Sequence, residues 1–122
     1  MRRILLVDDD THFRRSLAIG LETHGYRVHE VSSGMDALQF LQTDQTAVDC
    51  VVGVVVDARM PGLDGFWLAD QISASFPLLK VVILSAHQYP DRMNSYTMLT
   101  KPVAIPLLIE TLENDQQPAS GE

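Results

Sequence analysis

A chain of 122 residues suffices for one compact domain with one core, and an apolar fraction of 46% excludes a wholly disordered one. Sixteen acidic side chains against nine Lys and Arg leave a formal net charge of -7, which repels phosphate backbones, so this domain is not expected to bind nucleic acid directly. The longest near-continuous apolar stretch, Cys50 to Val56, falls far short of the ~18 residues that span a bilayer.

The N-terminus runs from Met1-Arg2-Arg3 into four apolar residues, too few for a signal-peptide core. A cytoplasmic setting with no membrane partner is the expectation. Ile4-Leu5-Leu6-Val7 has no polar alternation, the pattern of a strand buried on both faces. From Thr11 to His24, Phe13, Leu17 and Leu21 recur four apart and make one helical stripe. Asp10 or Thr11 can cap its start, and Gly25 can end it in a left-handed turn. Tyr26 to Val31 reads as a second strand. Ser32 or Ser33 can cap a second helix whose inward face is Ala37, Leu38 and Leu41, and Thr43 to Asp49 reads as loop.

Cys50 is the only cysteine, so an internal disulfide and a CxxC metal site are excluded; beside an apolar run it is expected to be a buried, inert thiol. Val51-Val52-Gly53-Val54-Val55-Val56 gives the strongest strand signal, five β-branched valines in six residues, with Gly53 weakening it slightly. Met60-Pro61-Gly62 is turn chemistry. A third helix from about Asp64 to Ser75 buries Leu68, Ala69 and Ile72, and leaves Trp67 partly exposed. Val81 to Leu84 forms a fourth buried strand, Tyr96 to Thr100 a short fifth, and Ile105 to Leu112 a last helix with Pro106 in its first turn. Residues 1–113 make the domain, and 114–122 a polar tail expected to be disordered. Strands alternating with helices imply a parallel sheet covered on both faces, doubly wound by right-handed crossovers.

In such a sheet ligands bind beyond the carboxyl ends of the strands. Asp8, Asp9 and Asp10 follow the first apolar run, Asp57 the third, Ser85 the fourth and Lys101 the fifth. Singly, each residue is commonly a cap, a loop hydroxyl or a solvated lysine, and Asp10 reads best as a cap. Together they bring carboxylates, a hydroxyl and an ammonium to one rim. Crowded carboxylates repel, and a divalent cation relieves them; magnesium suits one or two carboxylates plus water. A lysine in the same place makes sense if an anion such as phosphate is also held. Asp57, central among these groups, is placed as a carboxylate nucleophile able to form an acyl phosphate.

At these motifs the sequence resembles the response regulator receiver domain from about Arg3 to Leu112. They are Ile4-Leu5-Leu6-Val7-Asp8-Asp9-Asp10, then Val56-Asp57-Ala58-Arg59-Met60-Pro61-Gly62-Leu63-Asp64-Gly65, then Leu84-Ser85-Ala86-His87, and Lys101-Pro102. The resemblance implies a flavodoxin-like five-stranded sheet of order 2-1-3-4-5. It implies that Asp57 takes a phosphoryl group from a histidine of a partner sensor kinase or phosphotransfer protein. Magnesium is then held by Asp9, Asp57 and the backbone carbonyl of Arg59, with Asp8 acting through water. Ser85 matches the hydroxyl that moves toward the phosphoryl group, Lys101 the lysine that pairs with it, and the Lys101-Pro102 bond one that is cis in the family. Such a domain is a signalling module rather than an enzyme, promoting only its own phosphorylation and dephosphorylation. It passes its signal to a downstream protein, a linked effector domain or a phosphorylation-dependent homodimer.

Two departures fall on the surface that normally transmits the signal. Ser85 and Lys101 are only 16 positions apart, so between Ala86 and Ser95, interrupted by Pro90, no more than about one helical turn fits. A shortened or missing fourth helix is expected. The aromatic that the family carries three residues before the lysine is Met98, and Tyr96, two residues earlier on the same strand face, is the candidate to substitute for it in the switch. Rival classes fare worse. A phosphatase with an aspartyl nucleophile generally needs a second Asp where Arg59 stands, and a flavin-binding module would want glycine and hydroxyl donors in place of Asp8 to Asp10. Whether the domain acts alone or within a longer regulator stays open.

Overall fold

A computed structural model of the chain describes residues 2–43 and 50–114. Strand β1 (Arg3–Val7) leads into helix α1 (Thr11–Thr23), then β2 (Arg27–Val31), α2 (Gly34–Thr43) and β3 (Val51–Asp57). A two-residue antiparallel ribbon, Arg59–Met60 with Leu63–Asp64, precedes α3 (Gly65–Ser75). The chain continues through β4 (Lys80–Ser85), β5 (Thr97–Thr100) and α4 (Ile105–Glu113). The five strands pair in parallel in the order 2-1-3-4-5, the flavodoxin-like doubly wound arrangement that the family resemblance implies. No helix among the described residues is long and apolar enough to cross a membrane.

The period of two along each strand builds the core. Ile4, Leu6, Val55, Val82 and Leu84 face one side and pack with Leu17 and Leu21 of α1 and Leu108 and Leu112 of α4. Leu5, Val7, Val54 and Val56 face the other, against Ala37 and Leu41 of α2 and Leu68 and Ile72 of α3. Burial of each such aliphatic side chain contributes about 1.5–3 kcal/mol, and truncating fully buried Leu68 to Ala should cost about 2–5 kcal/mol. Gly53 has a packing reason: a Cβ there would lie 2.5 Å from a methyl of Leu112, so its absence lets α4 close on the sheet.

The caps follow the sequence signals. The Asp10 side chain accepts from the Phe13 N–H at 3.1 Å, Ser33 Oγ from Asp36 N–H at 3.1 Å, and Asp64 from Phe66 N–H at 2.8 Å. Gly25 and Gly62 take φ of 93° and 72°, ending α1 and turning the ribbon. Between β4 and β5 the described helix is a single 3-10 turn, Pro90–Arg92, as the spacing from Ser85 to Lys101 requires. The fifth strand is one residue shorter than its apolar run, because Tyr96 N–H turns back to the Arg92 carbonyl at 3.2 Å instead of joining the ladder.

One expectation is corrected: the Cys50 thiol is exposed, not buried. Cys50 occupies the turn just before the first residue of β3, so neither helix layer covers it, although its carbonyl accepts from Arg3 N–H at 2.9 Å. Thr43, expected as the first residue of a loop, instead closes α2; the rest of that expected loop, 44–49, and the expected disordered tail beyond Asn114 lie outside the described residues.

Candidate functional site

The carboxyl ends of β1, β3, β4 and β5 deliver the rim. The sheet's hydrogen bonding runs on past the strands into it. Asp8 N–H donates to the Val31 carbonyl at 3.2 Å, Ala58 N–H to Leu84 at 2.9 Å, and Lys101 N–H to Ser85 at 2.9 Å. Site residues are thus fixed by the sheet before any side-chain contact is made.

Asp8 is almost wholly buried, Asp57 half-buried and Asp9 exposed, and one carboxylate oxygen from each lies within 4.8 Å of the other two. The donor set is three hard oxygens open to water on the Asp9 side, which fits a magnesium ion that retains part of its hydration. Lys101 Nζ stands 3.2 Å from Asp8 Oδ2 and 3.2 Å from Asp57 Oδ1. Burial raises the Asp57 carboxyl above its usual value and the neighbouring Asp8 raises it further, while Lys101 and the Arg59 N–H pull it back. At Lys101 burial works against the charge, but the two carboxylates outweigh it and its pKa is raised. The ammonium is thus firmly charged, beside a carboxylate whose ionisation costs more than in water.

Arg59 opens the ribbon with its side chain exposed and its N–H directed at the Asp57 carboxyl. Ser85 is buried, and its hydroxyl donates to the His87 carbonyl at 2.7 Å and accepts from the His87 N–H at 2.9 Å. It is therefore held by the segment that follows β4. Asp10 takes no part in the carboxylate cluster and serves as the cap of α1. The Lys101-Pro102 bond is cis. Met98 and Tyr96 do share a face, packing with Ala58, Phe66, Ala69 and Ile83, and the Tyr96 hydroxyl lies 2.9 Å from Asp70 Oδ1.

Three contacts escape a reading of the sequence. Arg14 donates to the Asp8 carbonyl at 2.7 Å and to Glu30 at 3.1 Å, tying the acidic loop to β2. Phe13, read there only as a core stripe, lies under the Lys101 ammonium. Tyr89 and Tyr96 both meet the Phe66 ring edge-on at 5.0 Å, and the Arg92 guanidinium lies over that ring. A local signal existed for Arg14, one turn into a helix that starts beside Asp8; the others depend on tertiary packing.

A doubly wound α/β domain with acidic groups and a lysine at its switch-point rim is of the class that binds charged ligands at strand ends. The sequence profile described as "Response regulator receiver domain" matches residues 4–113, and the chain belongs to that family, the receivers of two-component signalling. It is 33% identical to the transcriptional regulatory protein GlrR of Escherichia coli over 98% of this chain and 28% of GlrR. The chain therefore spans little more than a quarter of that relative. Its fold matches a receiver domain from Clostridium thermocellum with a TM-score of 0.83 and 26% identity, covering 94% of each chain. It also matches the response regulator TrrA of Thermotoga maritima, solved with magnesium and beryllium fluoride, with a TM-score of 0.79 and 26% identity over 95% of this chain and 100% of that one.

Proposed function

We propose that this receiver accepts a phosphoryl group on Asp57 from a histidine of a partner sensor kinase or phosphotransfer protein, and that the modification changes the surface around β4 and β5. The observation that carries this reading is the Lys101 ammonium 3.2 Å from both Asp8 and Asp57. An ion pair alone would need one carboxylate. A lysine shared by two, beside a third, suits a site where anionic charge will increase.

Asp9 and Asp57 would hold magnesium directly, with the Arg59 carbonyl as a third protein ligand and Asp8 through water; the ion, when bound, supplies charge neutralisation around the transferred group. The chain's own residues do the rest. Asp57 Oδ attacks phosphorus in line as the bond to the donor imidazole nitrogen breaks, and the electron pair of that bond stays on the imidazole. Lys101 exchanges its contact with Asp57 Oδ1 for a phosphoryl oxygen. Ser85 leaves the His87 backbone to donate to the same group, releasing one end of the 86–95 segment. Tyr96 and Met98, packed on Ala58 beside Asp57, move with it. That TrrA, which shares this fold, was solved in complex with magnesium and beryllium fluoride supports magnesium and a phosphoryl group as ligands of this domain.

Intact mass after incubation with a small phosphoramidate and magnesium tests the assignment. The wild type should gain one phosphoryl group that is lost in mild base or hydroxylamine, and Asp57→Asn should gain none. Equal incorporation in Asp57→Asn would falsify it.

A further inference from the structure

The Lys101 side chain has a neighbour that its role in phosphoryl binding does not require. Its ammonium lies 4.2 Å from the centroid of the Phe13 ring, on the face where the π-system is negative. We infer that Phe13 is a positioning residue for the phosphoryl site: its ring anchors the Lys101 ammonium between Asp8 and Asp57, so that the charge is already in place when the group arrives. The inference rests on the reading of Asp57 as phosphoacceptor and deepens it.

The chain of placement begins in the sequence. Asp10 caps α1 by accepting from the Phe13 N–H at 3.1 Å, which fixes the first helical turn at the same rim as Asp8. Phe13 then heads the stripe that continues through Leu17 and Leu21, but the stripe is not uniform. Leu17 and Leu21 are buried, whereas Phe13 is half-buried and packs only against the margin of that cluster. Its ring leaves the core where Lys101 enters from the end of β5.

A lysine needs such a support more than most side chains. Its four-carbon stem is flexible, and its three N–H groups can turn to any acceptor, water included. Asp8 and Asp57 take two directions, each at 3.2 Å, and the ring covers another side. The carboxylate contacts are the ones that change on phosphorylation, because Asp57 Oδ becomes part of an acyl phosphate. The ring contact does not change: it has no proton to exchange and no charge to lose. It therefore holds the ammonium while the partner switches from carboxylate to phosphoryl oxygen. The bland alternative is that Phe13 only packs the end of α1, and in that case its loss would be felt in stability alone.

A double-mutant cycle on the phosphoryl mimic separates the two. The full chain is titrated with beryllium fluoride at saturating magnesium and followed by fluorine NMR. Phe13→Leu keeps an apolar side chain and removes the π-face; it should weaken the mimic by up to about tenfold, because a contact kept in both states acts only by limiting the other positions of the free ammonium, with its own energy as the ceiling. Phe13→Tyr keeps the face and should restore affinity to near that of the wild type. In a Lys101→Ala background Phe13→Leu should have no further effect. The Lys101 ε-methylene protons supply a readout that needs no phosphoryl group: ring current should shift them upfield in the wild type and in Phe13→Tyr, and Phe13→Leu should abolish the shift. Equal weakening in both backgrounds, or none in either, overturns the inference. If the wild type binds no beryllium fluoride, the phosphoacceptor reading fails, and the methylene shifts alone then decide the anchoring; shifts unmoved by Phe13→Leu would overturn that too.

Discussion

Replacing Gly65 by Ala gives the sharpest test of how the strand that carries Asp57 is held. A Cβ at Gly65 would lie 2.1 Å from the Asp57 carbonyl oxygen, 2.9 Å from Ala58 Cα and 3.0 Å from the Ala58 oxygen. All three are backbone atoms, and Gly65 N–H also donates to the Ala58 carbonyl at 3.0 Å. Relief of the shortest contact needs roughly 1 Å of main-chain movement, and overpacking of a rigid site costs about 1–3 kcal/mol, occasionally more. With backbone on both sides the upper end applies, about 3 kcal/mol. At ~2.1 cal/mol/K per residue a chain of 122 residues unfolds with ~0.26 kcal/mol/K, so Tm should fall by about 12 °C. Gly25→Ala is the control. Its φ is 93° and no atom of the described residues lies within 4 Å of the added methyl, so the left-handed strain of about 1–2 kcal/mol remains, about 4–8 °C. Calorimetry of the three proteins gives the answer: a Gly65→Ala midpoint no lower than that of Gly25→Ala refutes the argument that α3 is pressed onto the Asp57 backbone.

Magnesium at millimolar concentration should raise the wild-type melting temperature, since a ligand selective for the folded state stabilises it by mass action; Asp9→Ala should blunt the rise, and an equal rise in both would remove Asp9 from the site. Tyr96→Ala should shrink the change in hydrogen exchange across residues 86–95 on adding beryllium fluoride, whereas an identical difference in mutant and wild type would exclude Tyr96 from the switch. His29, stacked on Phe40 at 4.0 Å, has its pKa lowered from 6.5 by burial and then by Arg3. Below pH 6.5 the unfolded chain binds that proton first, so stability rises with pH up to about 6.5 and is lost as pH falls toward the folded value. Urea midpoints should therefore decline more steeply on acidification in the wild type than in His29→Gln, and parallel slopes would contradict it.

How much could be read from residues alone divides along physical lines. Strand patterning was legible because the sheet is buried on both faces: uninterrupted runs such as Leu5-Leu6-Val7 and the valines of β3 have no other use. Strand ends then located Asp8, Asp57 and Lys101, whose placement needs only the direction of the chain and the parallel topology. Chain length between Ser85 and Lys101 set the fate of the fourth helix, since a turn count is arithmetic. Contacts made by helices crossing over the sheet were not legible. Phe13 under Lys101 depends on where α1 lies relative to β5, 88 positions apart in the chain, and local periodicity carries no such information. Cys50 misled for a related reason: an apolar neighbourhood in sequence says nothing about whether a residue lies before or within the first covered rung.

The Lys101 N–H bond to the Ser85 carbonyl closes a loop around the 86–100 segment. Ser85 and Lys101 are registered against each other by the sheet, not by the residues between them. Beyond His87, whose main chain holds the Ser85 hydroxyl, the connection can therefore lengthen, shorten or change shape without shifting either group, provided Thr97 to Thr100 still lie along Val82 to Ser85. Loop closure adds only about 0.6 kcal/mol for each doubling of length, so such drift is nearly neutral for stability. Chemistry and output are in this sense separately evolvable. Exchanging residues 88–95 for a longer, helical segment from another receiver should therefore leave the Asp8, Asp57 and Lys101 rim unaltered.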